Sequence, residues 1–252
     1  MSLKYEKPSL GAWSLRLYDQ EETATEVVGT VRKGLDGSKY HYSRCGATAI
    51  GPGLQTASPG VNADWINVTP AAAAIGAKTL IITYTDAATD TLPENYFRGG
   101  QLQVNDATGE GYRYPIAYSS AITNGGTTVT IRIDEGLHVA LTTSSEVSPI
   151  PSPYMYTVKA SNILERPTGV TLRTITALYY YWAQTSGDGM CLSIGTPAVG
   201  AAVAISTTSG ALAALSIVTS GATVGLTTYP VGIMTGTVGV SGEYKPCLYK
   251  ID

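Results

Sequence analysis

The stretch GQLQVNDATGEGYRYPIAY, residues 100–118, sets Gly109-Glu110-Gly111 just after Asn105 and Asp106. A phosphate-cradling loop needs a third glycine at fixed spacing and a helix N-terminus to receive the anion. Here Tyr112-Arg113-Tyr114-Pro115 follows, which is β-prone and then interrupts a helix at once. A calcium loop needs carboxylates at alternate positions and a closing glutamate, and Asn105, Asp106 and Glu110 supply too few. The stretch therefore reads as a turn between two strands. Nucleophilic catalysis needs a base, and the chain has two histidines, His41 and His138. A His-Asp-Ser protease of the double-barrel kind would be all-β and of this length. The nearest match to its nucleophile turn is Thr185-Ser186-Gly187-Asp188-Gly189-Met190-Cys191. Gly189 stands where the nucleophile belongs, and Cys191 comes two residues late.

His41, between Tyr40 and Tyr42 in an alternating run, reads as an outward-facing structural histidine. For glycoside hydrolysis no carboxylate pair stands out. Asp36, Asp106, Asp134, Glu135 and Asp188 fall near turns, where the backbone already accounts for them. Cys45, Cys191 and Cys247 lack metal-ligand or redox spacing and read as reduced structural thiols. No catalytic, cofactor-binding or metal-binding residue is assigned, and a non-enzymatic protein is expected.

The elements that would position any site are strands. The 252 residues include 28 Gly and only 14% charged residues, against about 25% charged in ordinary soluble domains. The aromatic set is 17 Tyr, 3 Trp and one Phe, and tyrosine suits surfaces half-buried against a partner. A net charge of −3, from 16 basic and 19 acidic residues, gives no footprint for nucleic acid. No apolar run is long enough to span a bilayer, and no signal-peptide core follows Met1. A soluble, non-secreted product with no membrane partner is expected.

From Val27 onward the pattern is a series of hairpins. VVGTVRKG and SKYHYSR alternate around Asp36-Gly37, QLQVND and YRYPIAY flank ATGEG, and Asn124-Gly125 precedes TTVTIRID. KTLIITYT at 78–85 reads as a buried strand, and TLPENYF as a short helical turn starting near Pro93. ALAALSIV, flanked by Ser-Gly pairs, reads as a strand although its composition would allow a helix. The expected class is all-β, an antiparallel hairpin-built sandwich or barrel with an extended N-terminal arm. The expected division is an arm at 1–26, a β-rich domain at 27–148, a proline-rich connector at 149–153 and a second β-rich domain at 154–252. The two β-rich regions either share one core or have two.

Two stretches are candidate partner-contact surfaces. In the arm, alternation puts Trp13, Leu15 and Leu17 on one face of a strand, followed by Tyr18. Such a strand pairs within its own fold, pairs with another chain, or stays loose. In Tyr179-Tyr180-Tyr181-Trp182, Tyr179 and Tyr181 face one way, Tyr180 and Trp182 the other. One face must be core. The other either packs as well or meets a partner.

VRKGLDGSKYHYSRCGATAIGPGLQTA, GGQLQVNDATGEGYRYPI, LHVALTTSSEVSPIPSPY, YYYWAQTSGDG and VSGEYKPCLYKI occur in an order similar to virion structural proteins of tailed bacteriophages. In particular the chain resembles head decoration, or cement, proteins. The likeness begins at about Val27 and leaves the arm out. It implies a non-enzymatic protein on the capsid exterior of the virion, assembled in the host cytoplasm. Its partners would be the major capsid protein and its own copies, as a homotrimer around local threefold axes. The resemblance carries no functional residue over to this sequence. The rival expectation is a carbohydrate-binding module or host-recognition fibre domain that uses exposed Tyr and Trp.

Overall fold

The computed structural model describes residues 15–84, 91–123, 125–215, 217–220, 223–226, 229–236 and 239–252. Strand makes up 43% of the chain and helix 1%, so the all-β expectation holds. Two compact units result, one from Met1–Pro59 with Pro153–Asp252 and the other from Gly60–Ser152.

The first unit opens with β1 (Gln20–Glu21), β2 (Val31–Lys33), β3 (Lys39–Arg44) and β4 (Gln55–Ala57). The second unit holds β5 (Thr69–Pro70), β6 (Thr79–Thr83), β7 (Gln101–Asp106), β8 (Arg113–Ser119), β9 (Thr128–Ile133) and β10 (Glu146–Ile150). The first unit resumes with β11 (Val158–Lys159), β12 (Pro167–Thr171), β13 (Tyr180–Ser193), β14 (Ala202–Ile205) and β15 (Leu212–Ala214). It ends with β16 (Ile217–Ser220), β17 (Thr223–Leu226), β18 (Gly232–Met234) and β19 (Glu243–Lys250).

Strand β13 is the spine of the first unit. Its first half pairs with β1, β3 and β12, and its second half with β19 and, in parallel, with β15. Pairings β15–β14, β14–β18 and β18–β19 then close a five-stranded barrel. Val203, Ile205, Leu212, Val231, Met234 and Tyr249 are buried together in one core cluster. A smaller cluster of Cys45, Ile50, Ile175, Tyr181 and Ala183 is buried elsewhere in the same unit.

The sequence from Thr185 to Cys191 is thus no nucleophile turn. It lies in the middle of one continuous strand. Gly187 has φ 96°, and a Cβ there would stand 2.2 Å from Ser38 Oγ. A Cβ on Gly189 would stand 2.6 Å from both Gln184 Oε1 and a ring carbon of Tyr249. These glycines permit close approach where the strand changes partners, next to a register shift against β3.

In the second unit the sheet runs β10-β7-β8-β9-β6-β5. It curls until Val68 and Val147 exchange backbone hydrogen bonds of 2.8 and 2.9 Å, joining the residue before β5 to β10. Leu80, Ile82, Leu102, Val129, Ile131 and Phe97 fill its core.

The predicted hairpins at Asp36-Gly37 and ATGEG form as β2–β3 and β7–β8, with Gly37 at φ 84° and Gly109 at φ 93°. Within ALAALSIV, Leu212–Ala214 forms β15 and Ile217 begins β16. Asn124 lies outside the described residues, but β8 and β9 pair across that turn.

Several expectations need correction. The 27–148 and 154–252 division fails, because β3 and β4 belong with β13 and β12, more than a hundred residues onward. The connector at 149–153 begins as strand, with Pro149 opposite Leu102 in β10. Proline is tolerated there because its missing N–H costs nothing on the side of a strand away from the ladder. KTLIITYT is half-buried: Leu80 and Ile82 face the core while Ile81 is 50% exposed. TLPENYF forms successive turns, with Tyr96 N–H donating to Pro93 O and Arg98 N–H to Asn95 O.

Candidate interaction surface

The described part of the N-terminal arm does not form the predicted strand at 13–18. Residues 16–19 make a turn in which Asp19 N–H donates to Arg16 O at 3.1 Å, and pairing begins only at β1. Of the three fates open to the segment, this portion pairs within its own unit: Gln20 stands opposite Tyr181 and Glu21 opposite Tyr180. Trp13 lies outside the described residues. Leu15 is buried, and its carbonyl accepts from Arg32 Nη1 at 3.0 Å and from Trp182 Nε1 at 3.2 Å. One oxygen thus helps to satisfy two buried donors, a guanidinium and an indole, that would be costly to leave unpaired.

Further contacts fix the segment to residues 173–176. Arg173 Nη1 donates to Tyr18 O at 2.9 Å. The Gln20 side chain accepts from Thr176 N–H at 2.7 Å and donates to Thr176 Oγ1 at 2.9 Å. Glu21 accepts from the Tyr42 hydroxyl. Burial first, and the hydrogen bond to Glu21 second, raise the Tyr42 phenol above its usual range. The outcome is two pinned segments, on which Leu17 is half-buried, Tyr18 is 65% exposed, Leu178 is 45% exposed and Tyr179 is half-buried.

Leu15 and Tyr181, both predicted contacts, are corrected: each is buried in its own unit and presents nothing to a partner. Tyr181 Oη shares a 2.8 Å hydrogen bond with Thr157 Oγ1, and burial raises its phenol. Tyr180 stacks on Tyr42 at 5.6 Å, with the Arg44 guanidinium 5.1 Å from its ring. Trp182 meets Tyr42 edge-on at 5.3 Å. Tyr181 and Trp182 are thus core on opposite faces of the run, while Tyr179 and Tyr180 are half-buried. Leu178, adjoining Tyr179 at φ 67°, gave no signal in the sequence because it sits outside any alternating run.

His41 is buried and not outward-facing. Its ring stacks on Tyr154 at 4.2 Å, and Nε2 lies 2.9 Å from Asp252 Oδ2. Nδ1 has no hydrogen-bond partner among the described residues. A His-carboxylate pair can orient a base, but no hydroxyl or thiol stands at the second nitrogen to be activated. Burial tends to raise the Asp252 carboxyl, while hydrogen bonds from Thr185 and His41 and the charges of His41 and Lys39 lower it below the usual value. A depressed folded-state pKa adds stability above the unfolded pKa, and that stability is lost as pH falls through the folded one. The first unit should therefore lose stability below about pH 4. Asp252→Asn should flatten that acid limb in thermal melts run from neutral to acidic pH, and an unchanged limb would remove Asp252 as a cause.

Cys45, Cys191 and Cys247 are buried and free. The structure brings Cys191 and Cys247 together on β13 and β19, a contact that sequence spacing could not show. Cys247, hydrogen-bonded to Cys191 and buried, is held well above the ordinary thiol range. Among the described residues no group of three or more His, Cys, Asp or Glu side chains could hold a metal ion, and no helix is long and apolar enough to cross a membrane. No family model, curated protein or solved structure matches the chain.

Proposed function

We propose that the chain is a non-enzymatic virion structural protein that binds the outer surface of a phage capsid and stabilises it. The observation that carries this reading is the set of side chains left exposed or half-buried on ordered segments: Leu17, Tyr18, Leu178 and Tyr179. They are aromatic and aliphatic side chains on two segments tied to each other by hydrogen bonds from Arg173 to Tyr18 O and from Thr176 N–H to Gln20. Association costs less entropy when contact residues are already ordered, and tyrosine is enriched where such surfaces become buried. The resemblance in the order of its phrases to decoration proteins supports the same reading. Many identical weak contacts on a closed lattice multiply into strong avidity. The partner proposed is the major capsid protein, with the chain arriving as a homotrimer.

The test is to mix the purified chain with phage heads stripped of it and count bound copies. Saturation at a fixed copy number per capsid subunit, together with greater resistance of the heads to heating, is the expected result. The double variant Tyr18→Ala/Leu178→Ala should weaken head binding about tenfold or more while leaving the thermal melt of the free chain nearly unchanged. Light scattering checks the trimer. Heads that bind no protein at saturating concentration would defeat the proposal.

A further inference from the structure

The first unit also has a cleft of about 520 Å³, within the range of small-molecule sites. Three tyrosines from distant parts of the chain line it: Tyr18, Tyr40 and Tyr244. Asp36, Thr171, Gln184, Asp188 and the tyrosine hydroxyls supply its polar groups.

Tyr244 is 47% exposed, yet its ring is firmly backed. Gly53, at φ 62°, lies beneath it so closely that a Cβ there would stand 2.7 Å from a ring carbon. The ring is thus held against the backbone at Gly53. Gln184 is buried, and its amide nitrogen donates to Ser186 O at 3.3 Å and Asp188 O at 2.9 Å. Those bonds fix the side chain and leave Oε1 as its acceptor, close over Gly189, which also lines the cleft. Asp36 accepts from Ser38 N–H at 3.0 Å and Ser38 Oγ at 2.8 Å, so its carboxylate is held in place at the mouth of the β2–β3 turn. Those hydrogen bonds also keep it below the usual carboxylate range, hence ionised.

Beside the tyrosine hydroxyls, which can donate or accept, the wall has three fixed acceptors, two carboxylates and an amide oxygen. They are complemented by a ligand that carries several donors. No Lys or Arg lines the cleft among the described residues, so an anionic ligand would meet like charge without compensation. The flat rings of Tyr18 and Tyr244 suit a ligand with an apolar face of C–H groups. A polyhydroxylated ring offers hydroxyl donors at its edge and C–H groups on its face. A small quaternary ammonium, which the carboxylates would also suit, needs rings converging within about 6 Å of one point, and choline tests for it.

We propose that this cleft binds a neutral oligosaccharide, with Tyr18 and Tyr244 stacking on sugar faces and Asp36, Asp188 and Gln184 Oε1 accepting from its hydroxyls. The proposal does not depend on capsid attachment. Tyr18 serves in both proposals, so the test variants avoid it.

The test is calorimetric titration of the full-length chain with maltotriose, cellotriose and chitotriose, beside sialyllactose and choline. The expected result is saturable binding of at least one neutral trisaccharide, with sialyllactose and choline inert. Tyr244→Ala should weaken that binding about tenfold, Asp188→Asn should also weaken it, and Tyr244→Phe should retain it because the ring remains. A thermal melt of each variant separates loss of binding from loss of fold. If none of the three neutral sugars saturates, the proposal is overturned. Binding of choline or sialyllactose in their place would overturn it too, as would neutral-sugar binding indifferent to both Tyr244→Ala and Asp188→Asn.

Discussion

Trp182→Ala should destabilise the first unit by about 3–5 kcal/mol, the range for removing a large buried aromatic side chain. The side chain is only 1% exposed and lies on the spine strand β13. Its loss opens a cavity beside Tyr42, which it meets edge-on. It also removes the indole donor from Leu15 O and the ring 5.8 Å from the buried Arg32 guanidinium. A cavity, a lost hydrogen bond and a less well packed buried cation all act in the same direction. Urea unfolding measures the size of the loss, and hydrogen exchange should place it in β1, β3 and β13. Trp182→Phe keeps most of the ring and deletes the donor, so its cost should be nearer about 1–2 kcal/mol. If alanine cost no more than phenylalanine, packing at Trp182 would not be what holds the N-terminal segment to the spine.

Phe97→Ala should have an effect of the same order in the second unit, again about 3–5 kcal/mol. Phe97 is the one phenylalanine in the chain and is fully buried. It meets Trp65 at 5.0 Å and Tyr96 at 4.9 Å, both edge-on, and its N–H donates to Ser119 Oγ at 3.1 Å. The control is Ile81→Ala in the same unit. Ile81 is half-exposed on the outer face of β6, and its truncation should cost about 0.5 kcal/mol or less. Denaturant titration of both variants decides the matter. Equal losses would mean that hydrophobic character, and not burial, sets the stability of this unit.

These two side chains also show where local pattern stops being informative. Ile81 stands inside KTLIITYT and looks like core, yet it points outward because strand residues alternate faces and β6 buries only one. Phe97 stands in a turn-rich segment with no alternation, yet it fills the core. A turn can deliver a side chain inward wherever the chain happens to cross the open end of a sheet. Of the candidate contacts, Tyr18 is exposed, Leu17 and Tyr179 are half-buried, and Leu15 and Tyr181 are enclosed. All five look alike as sequence. They differ only in what the rest of the chain lays over them.

The sequence by itself determined the all-β class and the hairpins at Asp36-Gly37 and ATGEG. It also indicated that ALAALSIV is strand. Those features are local: a two-residue period, and a glycine at positive φ where the chain reverses, act over a handful of neighbouring residues. Only the tertiary structure decided that residues 60–152 interrupt the first unit, that β3 and β4 find partners beyond residue 165, and that one strand runs through Gly187 and Gly189. It alone set His41 beside Asp252 and gathered Tyr18, Tyr40 and Tyr244 around one cleft. Such pairings join segments more than a hundred residues apart. Their free energy comes from burying surfaces against each other once the whole chain has collapsed, so no window of neighbouring residues carries their signal.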